Sequence, residues 1–182
     1  MKTITLIFSI IFLGGCSTYM PQRYHISANN NTALKSLGVE GVYVKSFAGP
    51  EKINTICRIT RHIAAPDKMS FDAYIQQALV DELKVAGLYD DKSPNVTLSG
   101  VVEPLNFSLG IFHGGTWNIG LRITSSNGKS IFIQERYEID IGLTDTDDAA
   151  CIHTADAFLS AVQNLIGKLV ESPDFKSLVT PI

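Results

Sequence analysis

Beyond its first thirteen residues the chain has no apolar run long enough to cross a bilayer, which takes roughly 20 residues. Gly-rich phosphate loops are missing, and so is the G-x-S-x-G nucleophile element, so nucleotide-binding and serine-hydrolase signatures are absent. Charge of either sign is modest, with 15 Lys and Arg against 18 Asp and Glu and a net charge of −3. That balance lacks the clustered basic face of a nucleic-acid binder. Asp145, Asp147 and Asp148 stand close together, but the fixed Gly and terminal Glu of a calcium loop do not accompany them. Carboxylates just before a helix serve more often as caps that favour its N-terminal dipole.

What the chain does have is a distinctive start. Lys2 precedes an apolar run from Thr3 to Leu13, and small residues follow it. The run is too short for a spanning helix and has the layout of a secretory signal peptide. An ordinary signal peptide with a chance cysteine, or an uncleaved anchor, is the alternative. Leu13-Gly14-Gly15-Cys16 resembles the lipobox of bacterial lipoproteins. The resemblance implies removal of residues 1–15, diacylglycerol on the Cys16 sulfur and an acyl chain, palmitate for example, on the new amine. Three chains anchor firmly where one binds marginally. Ser17 in place of Asp implies sorting to the outer membrane, with the domain in the periplasm or at the surface.

Two cysteines remain, Cys57 and Cys151. An exported chain meets an oxidising compartment, and two cysteines allow one intramolecular pairing, so a Cys57–Cys151 disulfide is expected. Free buried thiols are one alternative. A Cys2His2 metal set with His62 and His153 is another, although its spacings do not match the common zinc patterns.

Residues 16–37 are polar and Asn-rich, contain Pro21 and show no sustained period. Such composition buries too little to repay ordering, and the segment reads as the lipidated cysteine and a flexible tether, with local docking of Tyr19, Tyr24 and Ile26 as the alternative. Residues 38–182 form a single globular domain. Val39 to Ala48 reads as a strand with apolar residues on both faces, which places it centrally in a sheet. The stretch 51–68 is long for a structureless link, and a short strand is expected around Ile56 to Thr60. Ser70 to Ala86 is an amphipathic helix with Ser70 as N-cap and Gly87 as a left-handed C-cap. Asn95 to Leu109 is a long strand whose apolar phase changes at Pro104, where a bulge or an edge is expected.

Thr116 to Thr124 and Ser130 to Ile141 form a hairpin. A two-residue turn would put their apolar sets on opposite faces. A three-residue Ser126-Asn127-Gly128 loop pairs Ile123 with Ile131 and puts them together, so the buried face selects the longer loop with Gly128 left-handed. Arg122, Gln134, Arg136, Glu138 and Asp140 then lie on the wetter face. Asp147 to about Glu171 is a second long amphipathic helix.

The order β-α-β-β-β-α makes an α+β two-layer sandwich, an antiparallel-rich sheet of about four strands covered by two helices. Element order and anchor loosely resemble small periplasmic lipoproteins, including the lipopolysaccharide-assembly type. The expected role is a non-enzymatic binding or accessory module for an envelope component, with no cofactor, metal or nucleic acid. Partners are the membrane, through the lipid, and an envelope protein; its candidate contacts are Arg58, Arg61 and His62, for which a solvated loop is the commoner reading, and the apolar tip at Ile111 and Phe112. A carrier holding a lipid or small ligand between sheet and helices is the second reading. A periplasmic hydrolase using His113 or the Asp145 to Asp148 loop is the third.

Overall fold

A computed structural model describes residues 17–110 and 114–182. Cys16, Ile111, Phe112 and His113 lie outside those residues, together with the signal-type segment. The elements run β1 (Thr18–Tyr19), α1 (Ala28–Ser36), β2 (Val42–Val44), β3 (Ile56–Arg58), β4 (Arg61–Ile63), α2 (Phe71–Ala86), β5 (Val96–Leu109), β6 (Gly115–Ser125), β7 (Ser130–Ile139), α3 (Asp147–Val170) and α4 (Phe175–Val179). The fold is α+β. A four-stranded sheet has the order β2-β5-β6-β7, and a small sheet has the order β1-β4-β3. In the larger sheet β2 and β5 are parallel and the other two pairs are antiparallel.

Both long helices start and stop on the chemistry their sequences carry. The Ser70 side chain accepts from Ala73 N, and Gly87 at φ 80° closes α2 in the left-handed region. Leu88 N then returns to Leu83 O at 2.9 Å. Thr146 caps α3 by accepting from Ala149 N, with Asp147 and Asp148 in the first turn. Their apolar stripes meet the inner face of the sheet around Trp117, whose ring lies 4.7 Å from that of Phe158 and 5.7 Å from that of Phe71. The Trp117 indole N–H donates to Thr154 O at 2.8 Å, so this buried polar group is satisfied.

The hairpin register follows the buried face. Ile123 pairs with Ile131, Ser125 N donates to Lys129 O at 2.9 Å, and Gly128 has φ 84°. The Asn127 side chain does a second job, donating to Ser177 O, Leu178 O and Thr180 O and tying α4 to the turn. At Pro104 the β5–β6 register shifts by one residue between Val102 and Leu105. The expected bulge is there, beyond Val101, the last residue of β5 with a partner on the β2 side.

Two expectations are corrected. β2 is an edge strand and not a central one. Val42 and Val44 point into the core, while Tyr43 is covered by the ring of Tyr89 at 6.1 Å, so the apolar outer face is local side-chain packing. The segment 17–37 is folded, not a tether. β1 pairs with β4, and α1 packs on both α2 and α3 with Asn30 and Leu34 buried. The cause lies far along the chain. Glu82 of α2, fully buried, accepts from the Tyr24 hydroxyl at 2.7 Å, Ser27 N at 2.9 Å and the Asn30 amide at 3.4 Å. Tyr74 donates to Gln22 O at 3.0 Å. Polar residues that bury little apolar surface are ordered here by hydrogen bonds to a buried carboxylate.

Candidate functional site

The expected link between residues 51 and 68 is a tight hairpin, β3 and β4, with Ile59 and Thr60 at its tip. Cys57 of β3 is bonded to Cys151 of α3, with a Cα–Cα separation of 5.7 Å. The sulfurs are therefore unavailable to a metal. His62 Nδ1 contacts Thr55 Oγ1 at 3.1 Å, and His153 Nδ1 contacts Asp140 O at 2.8 Å. Among the described residues no group of three or more His, Cys, Asp and Glu side chains is placed to hold a metal ion.

Arg58 and Arg61, expected as partner contacts, are engaged within the chain. Arg61 Nε lies 2.5 Å from Asp148 Oδ1, and its Nη1 lies 3.6 Å from Asp147 Oδ2. Arg58 Nε faces Asp147 Oδ1 at 3.6 Å, an ion pair too long for a hydrogen bond. Tyr19 of β1 donates its hydroxyl to Asp148. The Arg61 hydrogen bond, helped by Tyr19, holds the Asp148 carboxyl below the usual range, and Asp148 in turn raises the Arg61 guanidinium above its own. Both groups are partly solvated, so the pairs contribute little singly. Their geometric effect is larger. They join the first strand, the hairpin and the N-terminus of α3 at one corner, beside the disulfide. Asp145 turns back on the loop instead, accepting from Gly142 N at 2.8 Å.

Surface grooves are present among the described residues. One, about 530 Å³, is lined by polar residues of α1, α3 and β7, including Asn30, Glu135, Asn164 and Lys168. Glu135 is nearly buried, and Lys168 Nζ stands 2.6 Å from it. A second groove of about 330 Å³ lies between Arg23, Tyr24, Asp67 and Tyr74. The space between sheet and helices, where the carrier reading placed its ligand, is filled by Trp117, Phe158, Phe71 and Tyr74.

The outer face of the larger sheet carries Ser99, Val101, Asn106, Asn118, Arg122, Thr124, Phe132 and Arg136. Phe132 is exposed there, with the Arg122 guanidinium 5.1 Å from its ring centroid. β7 has a neighbour on one side only, and on its free side Lys168 donates to Gln134 O at 3.3 Å. An edge lysine of this kind discourages strand addition.

Glu82 and Lys168 went unnoticed in the sequence. A single carboxylate or ammonium on an amphipathic helix carries no local signal, and their partners lie 52 to 58 and 33 to 34 positions away.

No family model matches the chain, and no curated protein does. Solved structures resemble it in fold. A Xanthomonas campestris protein described by the family model DUF330 aligns with 85% of this chain and 92% of its own, at 14% identity and a TM-score of 0.50. A candidate lipoprotein from Caulobacter crescentus covers 84% and 96%, at 13% identity and a TM-score of 0.44. The PelC dodecamer from Paraburkholderia phytofirmans covers 78% and 90%, at 15% identity and a TM-score of 0.40. At such identities the likeness concerns the fold. The class these features define is an α+β domain with its helices on one face of a mixed sheet and its first strand stitched into the body.

Proposed function

We propose that this chain is a lipoprotein of the outer membrane whose periplasmic domain is a non-enzymatic binding module for another envelope component. The observation that carries the reading is the one-sided sheet. Its helices cover one face, and the other presents Phe132, Val101 and Arg122 among short polar side chains. An exposed aromatic beside an arginine is a composition enriched where proteins meet. The Leu13-Gly14-Gly15-Cys16 start and the Cys57–Cys151 bond support export. No helix of the described residues is long and apolar enough to cross a membrane, and on this reading attachment falls to the lipid. A photo-crosslinking residue at Phe132, expressed in the native cell, is expected to give a discrete adduct that a residue placed at Lys92 does not. Absence of any adduct from the sheet face would count against the binding role.

A further inference from the structure

Nine large apolar side chains are exposed among the described residues, and five of them, Met20, Ile56, Ile59, Leu143 and Ile152, lie just after β1, in the β3–β4 hairpin, or in the loop and first turns of α3. These are the elements that the disulfide and the Arg61–Asp148–Tyr19 contacts draw together. Ile59 at the hairpin tip is 91% exposed, and Leu143 in the loop leading to α3 is 74% exposed.

The chain's attachment point is beside them. His62 N donates to Ser17 O at 3.0 Å, and Thr18 pairs with His62 in a parallel ladder. Cys16 is the residue before Ser17, and consecutive Cα atoms are about 3.8 Å apart. β1 and β4 run the same way, so Ser17, before the Thr18–His62 pair, lies on the side of the turn that holds Ile59 and Thr60. A lipid on Cys16 would be one residue from this ordered backbone.

We propose that this corner is a membrane-contacting surface, with Ile59 and Leu143 entering the leaflet that holds the lipid on Cys16. The proposal rests on the lipid-anchor reading above. A domain tethered this closely cannot hold its anchor in the bilayer and keep the adjoining corner far from it. Apolar side chains there gain from burial in the acyl boundary. The neighbouring cations do not drive the contact, because Arg58 and Arg61 are paired with Asp147 and Asp148. The apolar side chains therefore carry the contact, and with those charges paired its engagement should depend little on ionic strength or on anionic lipid. It also sets orientation. The Asn127–Lys129 turn lies at the far end of β7, ten residues long, which at about 3.3 Å per residue puts it roughly 33 Å from this corner.

The test uses full-length protein purified from membranes of the producing cell, with the mass of its Cys16 peptide measured first. It is reconstituted into vesicles of phosphatidylethanolamine and phosphatidylglycerol that contain brominated lipid. I59W, L143W and K129W are compared with the parent, whose own Trp117 is fully buried, and circular dichroism checks each fold. The emission added by I59W and L143W is expected to fall by roughly half, as for a side chain about 5–10 Å into the boundary, at low and high salt alike. That added by K129W is expected to stay unchanged. Lipid on Cys16 without quenching at either corner position overturns the membrane contact and leaves the anchor standing. An unlipidated Cys16 overturns both. Protection of the two indoles in native envelopes but not in protein-free vesicles assigns the corner to a protein partner and also overturns the proposal.

Discussion

Gly120 is the residue on which the bulge in β5 closes. A Cβ at this position would stand 2.4 Å from Glu103 O and 2.7 Å from Pro104 Cδ. Only hydrogen fits, because the extra residue of β5 pushes its backbone toward β6. Gly120→Ala is expected to cost about 1–3 kcal/mol, the usual price of overpacking a rigid contact, read as a lowered urea midpoint with an unchanged slope. Tyr24 is the complementary case, a polar group held by burial. Burial first, and the hydrogen bond to Glu82 second, raise its pKa well above the ordinary tyrosine value, and burial raises Tyr74 likewise. Above about pH 10 the unfolded chain loses these protons, while the folded chain keeps them. The unfolded state then binds fewer protons, and stability falls as pH rises. Urea titrations at pH 8 and pH 11 should show this loss. Tyr24→Phe should weaken the protein at pH 8 by about 1–2 kcal/mol, through the missing donor to Glu82, and flatten the alkaline decline. An unchanged decline in the variant would remove Tyr24 from the account.

Among the elements, the β3–β4 hairpin depends most on covalent help. It is short, its tip is apolar and exposed, and one disulfide fastens it to α3 across a sequence separation of 94. Loop entropy for such a closure is about 4–5 kcal/mol as an upper figure. Replacing Cys57 and Cys151 together by Ser is expected to cost about 2–5 kcal/mol, measured by urea unfolding. A double variant as stable as the parent would show that the ion pairs alone suffice. The same elements show how far local pattern reaches. Ser70, Gly87 and the 3–4 spacing of Phe71, Ile75 and Leu79 state their helix openly. The register of β6 on β7 follows from which face must be buried. The disulfide follows from parity and compartment. The folded state of residues 17–37 could not be read this way, because its partners, Glu82 and Tyr74 among them, lie on another element.

At the scale of the whole molecule those long-range contacts make one cooperative body. β1 pairs with β4, α1 packs on α2 and α3, and α4 is tied to the β6–β7 turn by Asn127. Far-UV circular dichroism and the emission of buried Trp117 are therefore expected to report the same urea midpoint. An earlier loss of helix than of Trp117 burial would mean that α1 and its surroundings melt separately. The contacts also reassign charges. The cluster of Arg58, Arg61 and His62 looks like a partner surface in the sequence, and the Asp145 to Asp148 run looks like a helix cap beside it. Folded, Arg58 and Arg61 meet Asp147 and Asp148 and neutralise one another. Asp147 and Asp148 stay about half exposed in those pairs, and Ile59 and Leu143 are the most exposed apolar side chains of these elements. Short-range information, meaning periodicity, caps, turn residues and cysteine parity, determined the two long helices, the main strands, the hairpin register and the disulfide. The fold alone decided that β2 is an edge, that the first strand is part of the body and that two arginines pair with carboxylates of α3. Each of those outcomes depends on groups tens of residues apart meeting in space, and no local window of residues contains both partners.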